Sequence, residues 1–497
     1  MVALGHLWLP QVYGAGTSPE SAAPIKYPQG GVMQSPPTVR LVASFGVLIA
    51  SIAPATLALG QPVDPGVRHD SSDGGPPIPL PGLASDELSY FQDGFARFTE
   101  VEVVAGGANN GLGPRFNSNQ CSSCHLYPTV GGSSPPKNPL SDVASADGAR
   151  NLVPWFIAAN GPVREARFVQ SNGLRDGGVH DLFVVTGRAD AGQCNISQPD
   201  FGSPGDPMSG QGGNHNVIFR IPTPNFGAGL IEAIPDSAIL ANMNADVGLK
   251  SQLGIQGHAN SLLGGTVNLS ANDGTITRFG WKAQNKSLVI FAGEAYNVEM
   301  GISNEVFPQE RDETPSCRGQ VATPEDANNF STGSPGTLSD VEAFANFMRM
   351  LAPPAPAAST PSTVNGRAQF VSVGCAYCHT PSLKTGTAIR SGSSRTPSAA
   401  LSGKQANLFS DLLLHHMGPG LADGITQGAA GPDEFRTAPL WGLGKRIFFL
   451  HDGRTTDLLA AIQDHSSPGS EASVIIQRFN SLSADEQQDL LNFLRSL

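Results

Sequence analysis

The chain has 497 residues with 58 Gly and 40 Pro, a formal net charge of −12, and 14% charged residues, well below the roughly 25% of an average protein. Gly is too sparse and aperiodic for collagen, the 39% apolar content is too high for a disordered chain of this low charge, and 6 Cys are too few for a disulfide miniprotein. The acidic balance argues against nucleic acid as a partner, because phosphate binding needs a basic field. What remains is a globular protein of one to three domains, rich in turns and long ordered loops.

Residues 1–60 read as a signal or export segment. The run 41–59, LVASFGVLIASIAPATLAL, is uncharged and apolar, follows Arg40, and ends in the small residues of a cleavage site near Gly60. Met33 is the more natural start, which makes residues 1–32 a start-site artefact in this reading. The competing reading is an uncleaved membrane anchor; Ser, Pro, Gly and Thr interrupt the run and favour cleavage. The expectation is an exported, periplasmic protein that meets a membrane only if the segment is retained.

Residues 61–84 form a Pro-, Gly- and Asp-rich arm, and 85–99 carry helical aromatic spacing at Tyr90, Phe91, Phe95 and Phe98. From 105 to 335 the chain reads as Gly- and Asn-rich loop broken by short apolar runs, DLFVV (181–185), NVIFRI (216–221) and KSLVIF (286–291). Ser339 to Glu342 is a capping box that opens a helix through Leu351. PPAPAASTPS (353–362) has linker composition, GRAQFVSVG (366–374) reads as helix, and a second capping box at Ser483 opens the last helix. No alternating pattern is long enough for a barrel or sandwich. The predicted fold is mainly α with few short strands and long ordered loops. Its two c-type cytochrome-like domains are 61–335, with a large loop-rich insertion, and 336–497.

CSSCH (121–125) and CAYCH (375–379) each match C-x-x-C-H, the attachment signature of c-type haem. Two thiols at this spacing add to the two vinyl groups of one haem, and the adjacent His reaches the iron. The chain's own Cys and His content gives about 0.002 chance matches. A zinc site needs four ligands from one local unit, and a redox pair does not need the His. Cys121, Cys124, His125, Cys375, Cys378 and His379 are therefore the expected haem sites, with His125 and His379 on iron.

With these motifs on the page, the chain resembles the di-haem oxidoreductases related to bacterial di-haem cytochrome c peroxidases, some of them labelled thiol oxidoreductases. The resemblance rests on GLGPRFNSNQCSSCH (111–125), HDLFVVTGRAD (180–190), FGAGLIEAIPD (226–236), RFGWKAQ (278–284) and EMGISNE (299–305). It continues through CAYCHTP (375–381), LLLHHMGPGLAD (412–423), FRTAPLWGLG (435–444), FLHDGR (449–454) and AIQDH (461–465). One departure is HSSPGSEA (465–472), where the family usually reads His-Gly-Gly-Glu-Ala. The resemblance implies two haems, one that relays electrons and one that meets peroxide. The expected partners are a small electron-donor protein and a small oxidant. A non-catalytic electron-transfer cytochrome, or an oxidase of a protein or metal-bearing partner, is the alternative. The family also holds a Ca²⁺ between its haems; no acidic loop here has EF-hand spacing, so Ca²⁺ stands only as an option.

The remaining roles follow from the resemblance and from residue chemistry. The sixth ligand of the second haem is His465, with Met417 the competitor. Glu232, in the apolar setting GLIEAIP, is the preferred acid/base of peroxide cleavage, and His180 the alternative acid/base or first-haem ligand. Trp281 and Trp441 are candidate electron relays, and Arg188, Arg278, Arg436 and Arg454 candidate propionate partners. His415, His416 and His451 are assigned to propionates or loop anchoring. Cys194 and Cys317 are left over and are expected to form a disulfide, the alternative being two free thiols.

Overall fold

The computed structural model describes residues 60–497 apart from 105–108, 110, 150, 186–195, 203–215, 262–275, 309–335 and 391–395. The export segment, Arg188, Cys194 and Cys317 lie outside the described residues, and so does the expected disulfide. Residues 59–497 form one compact unit.

Helices dominate, as predicted. Seven described helices have eight or more residues: α1 (Ser85–Phe98), α2 (Asp236–Met243), α3 (Leu288–Met300), α4 (Asp340–Met350), α5 (Pro361–Val373), α6 (Ser473–Asn480) and α7 (Ala484–Ser496). Both helix starts fall where the residues placed them: Ser483 and Glu486 form the full capping box (Ser483 Oγ accepts from Glu486 N at 3.3 Å), whereas at Ser339 only the N-cap half forms, its Oγ accepting from Glu342 N at 3.2 Å. The linker is shorter than its composition suggests. Thr360 caps α5, with Pro361 in the first helical position, where proline's fixed φ is pre-organised.

The 286–291 run is not an isolated apolar stretch. Ser287 caps it, and it continues as α3 to Met300. Apolar residues surround this helix, so it is a buried core helix without an amphipathic stripe.

Strands are short. The main sheet has three antiparallel strands, β1 (Glu165–Phe168) between β2 (Val179–His180) and β3 (Val217–Arg220). Farther on, β4 (Leu414–His416) pairs antiparallel with β5 (Glu434–Arg436), setting His415 opposite Phe435 and His416 opposite Glu434.

Two close helix crossings organise the core, and each depends on a glycine. On α1, a Cβ at Gly94 would stand 2.2 Å from the Ala343 carbonyl oxygen of α4. On α5, a Cβ at Gly366 would stand 1.9 Å from the Asp489 carbonyl oxygen of α7. Only glycine lets these backbones approach so closely. Phe98 of α1 and Phe370 of α5 each present an edge or tilted ring to a motif histidine, His125 at 6.1 Å and His379 at 6.4 Å.

Helix α4 packs on α1 and α3, and its Phe344 and Met348 line the cavity beside His125.

Candidate functional site: two cavities built on the C-x-x-C-H motifs

The first cavity, open to solvent, spans about 1170 Å³ including its mouth and is lined by Cys121, Cys124 and His125. The second, likewise open, spans about 1400 Å³ and is lined by Cys375, Cys378 and His379. Both motifs therefore open onto a large, mostly apolar space, with His125 and His379 in its walls.

The motif histidines are prepared as ligands. His125 Nδ1 donates to the Gly132 carbonyl at 3.1 Å, and His379 Nδ1 to the Phe409 carbonyl at 3.0 Å. Each bond fixes the tautomer that leaves Nε2 with its lone pair. Burial lowers both pKa values to about 4, helped at His379 by nearby His465, so both rings are neutral at pH 7. Burial pushes the Cys124 and Cys375 thiols up to about 12 and Cys121 higher still. Protonated thiols suit neither a thiolate metal site nor a redox pair.

The cavities differ in what else they offer. Among the described lining residues, His125 is the single imidazole of the first cavity. The second has His379, His415, His451 and His465. His465 Nδ1 donates to the Ala461 carbonyl at 2.7 Å, the same anchoring as at His379. Met417 lines the cavity as well; its backbone is tied on both sides, to Asp433 O and Ser467 Oγ. His415 lies between Asp411 (2.9 Å) and Glu471 (2.7 Å); burial would lower its pKa, but Cys378 and then Asp411 hold it well above the usual imidazole range.

The preferred acid/base residues are corrected by their surroundings. Glu232 lines neither cavity; it pairs with Arg349 at 2.7 Å and accepts the Leu288 N–H at the start of α3 at 2.8 Å. Burial alone would raise its pKa, but Arg349 and these hydrogen bonds bring it below the ordinary value. His180 also lies outside both linings, 2.5 Å from Asp176 and stacked on Phe168. Arg278 is paired with Asp236, Arg454 with Asp452, and Trp441 lines neither large cavity.

What the sequence reading missed is a carboxyl pair in the first cavity. Glu165 comes from β1 and Glu299 from the end of α3; both line the first cavity, close enough to shift each other's titration. Asn117 Nδ2 holds Glu299 Oε2 at 2.6 Å, and Arg167 Nε holds Glu165 Oε1 at 2.5 Å. Burial and then the charge of Glu165 push Glu299 up to about 8. At Glu165 burial is outweighed by Arg167 and Arg220, which hold it below the usual range. The pair thus keeps one proton at neutral pH. The stretch 299–305 was visible as a motif; the partnership, across 134 residues of sequence, was not.

The cavities also fit the anionic edge of a large macrocycle. Arg220 Nε, in the first lining, is buried without a hydrogen bond among the described residues. Arg446 lines the second cavity, makes no ion pair among the described residues, and is lowered to about 10 by burial alone. Arg436 beside it bonds the backbone carbonyls of Gly280 and Thr437 rather than a carboxylate. Arg220 is already paired with Asp423 at 2.7 Å, whereas Arg436 and Arg446 have no carboxylate ion pair among the described residues and call for anions such as propionates. Trp281 lines both cavities, donating Nε1–H to the Ile221 carbonyl at 2.9 Å.

Residues 212–497 match the family described as "Di-haem oxidoreductase, putative peroxidase". The chain belongs to this family. It is a di-haem oxidoreductase, and the family implies two haems with iron. Solved structures show weak likenesses. A MauG-like protein associated with microbial copper homeostasis is 17% identical over 61% of this chain and 95% of that one, with a TM-score of 0.25. The diheme peroxidase BthA from Burkholderia thailandensis is 14% identical over 59% and 89%, with a TM-score of 0.26. Hydrazine synthase from Kuenenia stuttgartiensis is 22% identical over 34% of this chain and 56% of that one, with a TM-score of 0.22. No curated protein matches. No described helix of the oxidoreductase is long and apolar enough to cross a membrane.

Proposed function

We propose that this di-haem oxidoreductase is an exported peroxidase whose first cavity is the reaction site and whose second cavity is the electron relay. The observation that carries the reading is the asymmetry of the cavities. The first has one imidazole and a proton-sharing carboxyl pair; the second has a second anchored imidazole, His465, and no comparable pair.

In this reading Cys121 and Cys124 would hold one haem and Cys375 and Cys378 the other through their thiols, and His125 and His379 would ligate the irons. His465 would be the further ligand offered by the second cavity, in preference to Met417, because its Nδ1 is tied to the Ala461 carbonyl. The bound irons supply the electrons and the open coordination site that peroxide reduction needs. The overall reaction is H₂O₂ + 2 H⁺ + 2 e⁻ → 2 H₂O.

The chain's own residues supply the proton handling. Glu299, protonated at neutral pH, has a proton to place on the departing oxygen; Glu165 stays ionised beside Arg167, and its charge favours Glu299 taking up the next proton from solvent. Asn117 orients Glu299. The apolar lining keeps bulk water from competing. Trp281, touching both cavities, is the side chain placed to shorten the electron path between them. A small electron-donor protein is the reductant in this reading.

Electron paramagnetic resonance of the oxidised holoprotein, with a peroxide assay, tests the proposal. One high-spin and one low-spin iron with peroxide turnover is expected. Two low-spin signals, indifferent to peroxide and carbon monoxide, would leave a non-catalytic electron carrier.

A further inference from the structure

In the strand pair β4–β5, His415 and Phe435 line the second cavity, while His416 and Glu434 line neither cavity. His258 joins the latter two, its backbone bridged to Leu414.

Two imidazoles converge on one carboxylate oxygen at this place. His258 Nε2 is 2.7 Å and His416 Nε2 3.1 Å from Glu434 Oε1. The other nitrogen of each ring faces an oxygen acceptor: His258 Nδ1 the Ala259 carbonyl at 3.3 Å, His416 Nδ1 the Asp433 carboxylate at 3.1 Å. Glu434 is itself fixed, its Oε2 accepting the Gly431 N–H at 2.6 Å. The carboxylate side chain is 5% exposed, whereas the imidazoles are 40% and 51% exposed. An oxygen acceptor on Nδ1 that orients the ring and leaves Nε2 for the ion is the usual outer arrangement around metal-bound histidine.

We propose that His258, His416 and Glu434 form a site for one divalent first-row transition ion, separate from both haem cavities. Nε2 of each histidine and Oε1 of Glu434 are the ligands, with the Ala259 carbonyl and Asp433 orienting the rings. Two imidazoles and one carboxylate select zinc- or copper-like ions over Mg²⁺ and Ca²⁺. Ligand distances of ~2.0 Å around a tetrahedral ion place neighbouring donors ~3.3 Å apart. Both N···O separations are already close to that. The two Nε2 atoms stand farther apart; among the described residues, the group whose three donor atoms lie within 4.8 Å of one another is Cys378, Asp411 and His415. That group has its thiol committed to a haem in the proposed function. At His258 and His416, ion binding draws the two half-exposed rings together, a movement their solvent-facing edges permit.

The test uses the holoprotein, stripped with chelator, given one equivalent of Cu²⁺ and desalted. Elemental analysis should find one copper per chain beside the irons, and its paramagnetic resonance should show coupling to two nitrogens. His258→Ala and His416→Ala should each remove one nitrogen and weaken binding at least ten-fold, with the haem absorbance bands unchanged as the check on folding. Asp433→Asn should weaken binding ~10-fold while keeping both nitrogens. Zn²⁺ should displace the copper and Mg²⁺ should not. Copper lost on desalting, or a signal that neither histidine substitution alters, would overturn the site and leave a plain ion-pair network. None of these outcomes depends on peroxide turnover.

Discussion

Glu299 shows how a side chain's neighbours in space overrule its neighbours in sequence. Glu232 was the preferred acid because its flanks are apolar, but Arg349, 117 residues away, neutralises that environment. Glu299 has the raised pKa that the chemistry asks for, from burial and from Glu165. Its folded-state value of about 8 exceeds the ordinary 4.5, so its contribution to stability is complete at low pH and is lost as pH rises toward 8. Glu299→Gln should therefore flatten the fall in melting temperature of the holoprotein between pH 5 and 8, roughly the window between the two values. The same substitution should lower peroxide kcat by ~10²–10⁴ while the haem spectra stay unchanged. A wild-type-like pH profile in this variant would remove Glu299 from the proton path. The sixth ligand is decided at the same scale. His465→Ala should convert the low-spin iron signal to high-spin, and Met417→Ala should leave it low-spin; the reverse result would reassign the ligand.

Elements were legible where a local signal marks their ends. The capped helices α4 and α7, the aromatic helix α1 and the helix before CAYCH all follow from spacing and caps that act within one or two turns. Helix α3 was hidden because burial on nearly every side erases the amphipathic period. The glycine crossings were illegible for another reason: a helical glycine says nothing about which helix it meets. Gly366→Ala must push α5 away from the Asp489 carbonyl of α7 and should cost about 1–3 kcal/mol in chemical denaturation. At Gly248, in the short helix Val247–Gln252, an added Cβ would meet nothing within 4 Å, so Gly248→Ala should instead stabilise by about 0.4–1 kcal/mol. Equal effects at the two sites would mean that close approach is not what glycine provides at 366.

The whole molecule is tied together by charge as well as by apolar packing, and this could not be read from composition. Two motifs 254 residues apart suggested two units, yet Leu253 and Ile255 pack into the core of the C-terminal half and Trp281 serves both cavities. The deepest link is Asp423, whose side chain is 0% exposed between Arg220 (2.7 Å), which lines the first cavity, and Lys282 (3.0 Å). Lys282 in turn lies over Phe435, on the wall of the second cavity, at 4.2 Å. Burial would raise Asp423, but Arg220 and Lys282 together hold it below the ordinary carboxylate range; burial lowers Lys282 to about 8. One anion thus holds two buried cations in place between the cavities. Asp423→Asn removes the buried anion in direct contact with both, leaving only Glu165 near Arg220 and Glu434 near Lys282, and should cost about 3–5 kcal/mol in chemical denaturation. Adding Lys282→Met to that variant removes one of the stranded charges and should recover part of the loss. If the double variant is no more stable than Asp423→Asn alone, the packing around Asp423, and not its charge, joins the two halves.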